Sequence, residues 1–448
     1  MAGSQPVRRL DRGDAHRRHL CLQYRRSAGT LDQRKAGLDK APRFQSFRPV
    51  PLFDPDLLRS GKRCCRGPAG LRQACGYRAS ASGRGRGLYY GQEQAKFQPV
   101  RQAGFITART GEPIMAGKLQ TTVIGSFPKP GYLPIRDWFD LSRECGTMGS
   151  TDVTLGYTGW KASDADEALF RRAAEEVIGL QVEAGVDVPT DGEVRRENYI
   201  HYHCRHITGF DFRDLERRVL RDGAYEAELP AIRGKVTHDG PAYSPHDFAA
   251  SQEVSAREVK FTLPGPLTIM DTTADCYYDD RPRLAADLAA TVNKEILALV
   301  EAGCRHIQVD EPLFARQVED ALGFGMEGLE RCFHNVPEHV TRVVHICCGY
   351  PDYLDDEDYR KADPQSYHRL AGAMDALPIH QVSIEDAHCC NDLELLGLFQ
   401  NKAVIFGSVA VARSRIETVD EVVERIRAAQ QRIDRERLVI APDCGLGM

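Results

Sequence analysis

The chain has 448 residues, 42% of them hydrophobic and 27% charged, with a net charge of -5. Those proportions suit a soluble globular protein, and no apolar run approaches the ~20 residues that cross a bilayer, which argues against a membrane span. The charge is unevenly held: residues 1–114 carry 23 Lys and Arg against 8 Asp and Glu, a net of +15, leaving 36 against 56, a net of -20, for residues 115–448.

Segment 1–114 is rich in Arg, short of Ile and Val, and broken by Gly, Pro and Ser. No helical or strand period persists in it, so it reads as a disordered basic extension, with the folded domain running from Met115 to Met448. Arg84-Gly85-Arg86-Gly87 is a pattern that binds RNA or acidic surfaces, yet a nucleic-acid partner has no further support along the chain. Asp11, Asp14, Asp54 and Asp56 argue against an organellar presequence. The 14 cysteines are scattered rather than set at framework spacings, which points to free or metal-bound thiols in a reducing, cytoplasmic setting.

From residue 121 short Val- and Ile-rich runs alternate with long amphipathic stretches. The runs are 121–127, 186–192, 259–265, 306–312, 343–349, 381–386, 403–409 and 438–445. Helical periodicity marks 164–184, 283–302 and 419–433, and Ala184-Gly185 and Ala302-Gly303 supply the glycine expected just past a helix. Eight apolar strands alternating with helices predict an α/β fold, a (β/α)8 TIM barrel, with a doubly wound open sheet as the alternative. The stretch 199–258 is too long for one connection, and its alternating pieces, Ala231-Ile232-Arg233-Gly234-Lys235-Val236 among them, predict a hairpin inserted after the second strand. A last helix, expected to cover the seam between strands eight and one, is missing before Met448.

In such a barrel the active site forms at the C-terminal ends of the strands. Those ends read Ser126, Asp191 with Glu193, Thr268, Asp310-Glu311, His345 with Cys347, Glu385, Ser408, and Asp443-Cys444. His345 and Cys347 stand two apart on one strand, so their side chains share a face. An imidazole nitrogen and a thiolate converging there make half of a tetrahedral zinc site, for which Glu385 and Cys444 are the remaining candidate ligands. Bound zinc would hold a substrate thiol as thiolate. Glu193 and Asp310 are placed to grip a substrate ammonium, and Ile124, Gly125 and Ser126 to meet a carboxylate, which together describe an amino acid bearing a thiol. His201, His203 and His206 resemble a metal cluster but fall in the inserted region, where solvent-facing histidines are expected. Cys348, next to Cys347, is expected to point the other way.

The motifs Thr122-Val123-Ile124-Gly125-Ser126-Phe127-Pro128, Asp191-Gly192-Glu193, Ile307-Gln308-Val309-Asp310-Glu311-Pro312, His345-Ile346-Cys347, Ser383-Ile384-Glu385 and Pro442-Asp443-Cys444-Gly445 occur in one order. Over residues 119–448 the chain thereby resembles the catalytic domain of cobalamin-independent methionine synthases. It is similar above all to the short single-barrel branch, and also to epoxyalkane:coenzyme M transferases. The resemblance implies a barrel that methylates homocysteine, with zinc on His345, Cys347, Glu385 and Cys444 and homocysteine on residues 124–126, Glu193 and Asp310. Two departures leave the methyl donor open between methyltetrahydrofolate and another. The family's tryptophan after the GPxTI motif is replaced within Thr268-Ile269-Met270-Asp271-Thr272-Thr273. Its histidine proton donor after strand seven has no counterpart in Ser408-Val409-Ala410-Val411-Ala412-Arg413. A transferase for another thiol or donor, such as coenzyme M with an epoxide or a methylcorrinoid, and a non-catalytic remnant are the alternatives.

Overall fold

The structure is a computed structural model and describes residues 118–136, 151–220, 225–351, 354–356 and 359–447. The basic segment 1–114, expected to be disordered, lies outside the described residues. Among the described residues ten strands follow one another: β1 (Gln120–Thr121), β2 (Thr208–Leu220), β3 (Tyr225–Thr237), β4 (Lys260–Pro264), β5 (Ala274–Asp275), β6 (His306–Asp310), β7 (Thr341–Ile346), β8 (Gln381–Ile384), β9 (Ala403–Gly407) and β10 (Leu438–Ala441).

Seven of them form a curled parallel sheet in the order β1-β10-β9-β8-β7-β6-β4. The gap between β1 and β4 is filled by the second apolar run. Single parallel bridges join Val188 to Thr122 on one side and Thr190 to Lys260 on the other. Val188 N donates to Thr121 O at 3.1 Å and Lys260 N to Pro189 O at 2.8 Å. The sheet therefore curls into the TIM-barrel-like fold the alternation predicts, with the second strand reduced to two bridges.

Helices cover the outside. α1 (Asp164–Glu183) opens on a capping box between Ser163 and Asp166, which satisfies two otherwise orphaned backbone donors. Gly185 ends it at φ +89°, a conformation that costs glycine nothing. α2 (Tyr199–Cys204) is capped by Asn198. α3 (Arg281–Glu301) starts at Asp280, whose carboxylate accepts from Arg283 N, and buries Leu284, Leu288, Val292, Ile296 and Leu299. That spacing is one helical face, and each such side chain contributes roughly 1.5–3 kcal/mol on leaving water. α4 (Gln365–Ala376) and α5 (Val419–Ala429) follow β7 and β9. Among the described residues no helix is long and apolar enough to cross a membrane.

The insertion after the second strand is an antiparallel hairpin of β2 and β3, extended by β5 pairing parallel to β3. Inside the barrel a small apolar cluster, Ile124, Val343, Ile405, Val439 and Ala441, is separate from the larger core between sheet and helices. Parallel register sets one row of neighbours running Pro264, Asp310, His345, Ser383 and Ile405. Asp310 and His345 thus stand at one height because their strands are paired there, although the sequence separates them widely.

Candidate metal and substrate site

β7 presents His345, and Cys347 follows one residue past the strand end on the same side. His345 Nε2 lies 3.6 Å from Cys444 Sγ, the latter carried by the turn after β10. The donor atoms of His345, Cys347 and Cys444 all fall within 4.8 Å of one another. The other imidazole nitrogen, Nδ1, is 2.9 Å from Ser383 Oγ on β8, which turns Nε2 toward the cysteines. A hydrogen bond from Cys444, reinforced by His345 against the cost of burial, holds the Cys347 thiol well below its usual range. One imidazole and two sulfurs in a pocket that already favours a thiolate form a donor set that fits zinc.

Glu385 takes a different place. Its Oε2 accepts from Cys348 N at 2.9 Å, and its Oε1 accepts from Cys389 Sγ at 3.2 Å and from Lys361 Nζ. With Cys348 and Cys389 it makes a second group of close donor atoms. Cys348 thus faces away from Cys347, as strand alternation requires. The turn bearing Glu385 is fixed by Asp443, whose carboxylate accepts from the backbone N–H groups of Asp386, Ala387 and His388 at 2.8–2.9 Å. Gly407 leaves room for it: a Cβ there would stand 2.1 Å from Asp443 Oδ1.

The carboxylates expected to hold an ammonium group are both buried. Glu193 follows Gly192 in a turn where both residues have positive φ, +56° and +68°. Asp191 Oδ1 accepts from Glu193 N at 2.9 Å, closing that turn. Glu193 Oε1 accepts from Thr262 Oγ1 at 3.0 Å, and the Arg196 guanidinium lies 3.8 Å away. Burial drives Glu193 up to about 7 despite Arg196, with Asp310 and Asp191 adding to the rise. Asp310 is raised to about 6 by burial, against the pull of His345 and a hydrogen bond from Gln308. Tyr199, on α2, is half-buried, and loss of water around its hydroxyl, with Asp310, Cys347, Cys444 and Glu193 adding, raises it well above its usual range.

Residues 124–126 form the neighbouring wall. Ile124 O accepts from Gln308 Nε2 at 2.9 Å, Gly125 O from Thr190 Oγ1 at 2.7 Å, and Ser126 O from Leu446 N at 2.7 Å. Gly125 has no space for a side chain, since a Cβ would sit 2.5 Å from Glu193 Oε1. Gly445 packs on Ser126 in the same way, a Cβ falling 2.2 Å from its Oγ, so the turn carrying Cys444 leans on the wall carrying Ser126.

The histidine triplet needs correcting. His201 and His203 are buried on α2, not solvent-facing. His201 bonds Thr272 O at 3.2 Å and His203 bonds the Tyr243 hydroxyl at 3.1 Å. Burial lowers them to about 4 and about 3, so both are neutral core residues; only His206 is exposed. Sequence reasoning gave no role to Ser383, Gln308, Lys260, Tyr199 or Lys361. The strand period could have flagged Lys260 and Gln308, polar residues within otherwise apolar strands. Nothing in the sequence pairs Lys361 with Glu385.

The chain is similar to known proteins in sequence and in fold. The profile of the family described as cobalamin-independent synthase, catalytic domain, matches residues 147–322 and 365–448. A methionine synthase of Saccharolobus islandicus (strain Y.G.57.14 / Yellowstone #1) is 33% identical over 332 residues, 73% of this chain and 88% of that protein. One from Sulfolobus acidocaldarius is 29% identical over 328 residues, 73% of this chain and 86% of its own length. Among solved structures, the B12-independent methionine synthase of Shewanella sp. W3-18-1 in complex with selenomethionine is similar with a TM-score of 0.62 and 27% identity, covering 73% of this chain and 91% of that one.

Proposed function

The chain belongs to the cobalamin-independent methionine synthase family by its catalytic domain, and from that premise we propose that it transfers a methyl group to the sulfur of homocysteine, giving methionine, with zinc held by His345, Cys347, Cys444 and Glu385. The observation that carries this reading is the convergence of His345, Cys347 and Cys444 donor atoms at the barrel mouth beside two buried carboxylates. Zinc bound there would supply the charge that keeps a substrate thiol deprotonated at neutral pH.

The chain's own residues would place the amino acid. Glu193 and Asp310, whose charged forms burial disfavours, gain most from a buried ammonium set between them. The backbone at Ile124 and Gly125 and the Ser126 hydroxyl orient the substrate carboxylate. Ser383 holds the His345 ring from behind, and Asp443 holds the Glu385 turn. Glu385 is drawn toward Lys361 and Cys389, so it is the ligand with the most competition for its oxygens. The substrate sulfur then attacks the methyl carbon, the carbon–donor bond breaks, and the bonding pair leaves with the demethylated donor, which is methyltetrahydrofolate or another methyl carrier. The selenomethionine in the Shewanella relative supports the reading, because that ligand is methionine with selenium in place of sulfur.

The test is to measure zinc per chain, then product formation from homocysteine or coenzyme M with methyltetrahydrofolate, methylcobalamin or an epoxide in parallel. Methionine formed from homocysteine is the expected result. Product from another thiol alone would overturn the assignment.

A further inference from the structure

Lys260 is a lysine inside the barrel, 2% exposed, at the base of β4 where its backbone is level with His306 of β6. Its Nζ reaches up one layer and donates to Gln308 Oε1 at 2.5 Å. Gln308 Nε2 in turn donates to Asp310 Oδ1 at 2.7 Å and to Ile124 O at 2.9 Å. His306, Gln308 and Asp310 are alternate residues of one strand, so the ladder climbs from the barrel floor to its mouth.

Burial pulls Lys260 down to about 7, yet charged or neutral its nitrogen donates to Gln308, while a carbonyl or carboxylate oxygen only accepts. Lys260 below and two acceptors above therefore permit Gln308 a single orientation, oxygen down and amide NH2 up. Turned over, the amide would aim its oxygen at Asp310 and Ile124 O and its NH2 at the hydrogens on Lys260 Nζ. Burying an ammonium is costly, and hydrophobic side chains fill the neighbouring interior positions at Ile124, Val343 and Ile405. The residue at 260 is thus unlike its surroundings, and it touches a side chain that bonds both Asp310 and the Ile124 carbonyl.

We propose that Lys260 is a positioning residue for the amino-acid substrate: through Gln308 it fixes the Asp310 carboxylate and the Ile124 carbonyl together, so that ammonium and carboxylate recognition are held in one geometry. This rests on the homocysteine reading above. It assigns Lys260 no contact with the reacting sulfur and no part in metal binding.

The experiment uses the full chain and measures methionine affinity by calorimetry, KM and kcat for homocysteine, and zinc content. Lys260→Met leaves Gln308 free to turn and its oxygen without a partner. Gln308→Glu keeps a partner for Lys260, and with it the fold, but removes both upward donors. Each variant is expected to weaken methionine and raise KM roughly ten- to a hundredfold, the effect of leaving a buried polar group unpaired, with kcat within a few-fold and zinc unchanged. If the wild-type protein binds neither homocysteine nor methionine, the functional reading has failed. If it binds them and the folded Gln308→Glu protein binds equally well, or either variant lowers kcat with KM unmoved, the positioning role is overturned.

Discussion

Replacing Ser383 with alanine should weaken zinc binding without unfolding the barrel. Ser383 is 1% exposed and its Oγ lies 2.9 Å from His345 Nδ1. With Nε2 engaged by the metal, Nδ1 carries a proton that needs an acceptor, and no other hydrogen bond reaches that nitrogen among the described residues. Stranding a buried donor costs about 1–3 kcal/mol, which is roughly a ten- to hundredfold loss of affinity. The metal-free imidazole can turn about its own bonds to recover part of that cost, so most of it falls on the bound state. The void left by one oxygen is too small to add much. Competition against a chelator of known affinity measures the dissociation constant, and thermal melting of the metal-free protein checks the fold. Zinc affinity within twofold of wild type would refute the reasoning, because the Ser383 hydroxyl would then have no part in orienting the ring.

Three further outcomes follow from the same geometry. The carboxylate of Glu193 must be ionised to hold an ammonium; burial raises it to about 7, so kcat/KM for homocysteine should climb as pH rises through about 7 and level off above it. Glu193→Gln should lower kcat/KM and erase that step, and a wild-type profile flat between pH 6 and 8 would count against it. Gly125→Ala would place a Cβ 2.5 Å from Glu193 Oε1, so KM for homocysteine should rise about tenfold or more with zinc content intact, an effect read from steady-state kinetics. Gly407→Ala would press on Asp443 Oδ1 at 2.1 Å and on its Cα at 2.9 Å; overpacking of that kind costs roughly 1–3 kcal/mol, seen as a lower melting temperature.

The barrel was legible because its signal is periodic. Seven of the eight apolar runs overlap a sheet strand, and the eighth, 186–192, supplies the bridges at Val188 and Thr190. The hairpin insertion was legible from length and alternation alone. His345 and Cys347 could be placed on one face because a strand repeats every two residues. Glu385 shows the limit of that logic. The end of β8 fixes where its backbone goes, but its carboxylate is set by Lys361 and Cys389, which arrive on other loops whose course no local pattern gives. His201 and His203 failed for a related reason: they sit on a short helix of six residues, too brief to show a period, and its burial depends on Thr272 and Tyr243. Lys260 is a charged residue within a run otherwise apolar, to which no role was given. Its partner Gln308 stands 48 positions later, a pairing that no local pattern gives.

The most direct test of the metal centre is anomalous X-ray scattering at the zinc edge from crystals of the zinc-loaded chain. One strong peak within bonding distance of His345 Nε2, Cys347 Sγ and Cys444 Sγ is predicted, and it should vanish in Cys444→Ser crystals grown with limiting zinc. A peak elsewhere, or none at these three side chains in protein that contains stoichiometric zinc, would contradict the account.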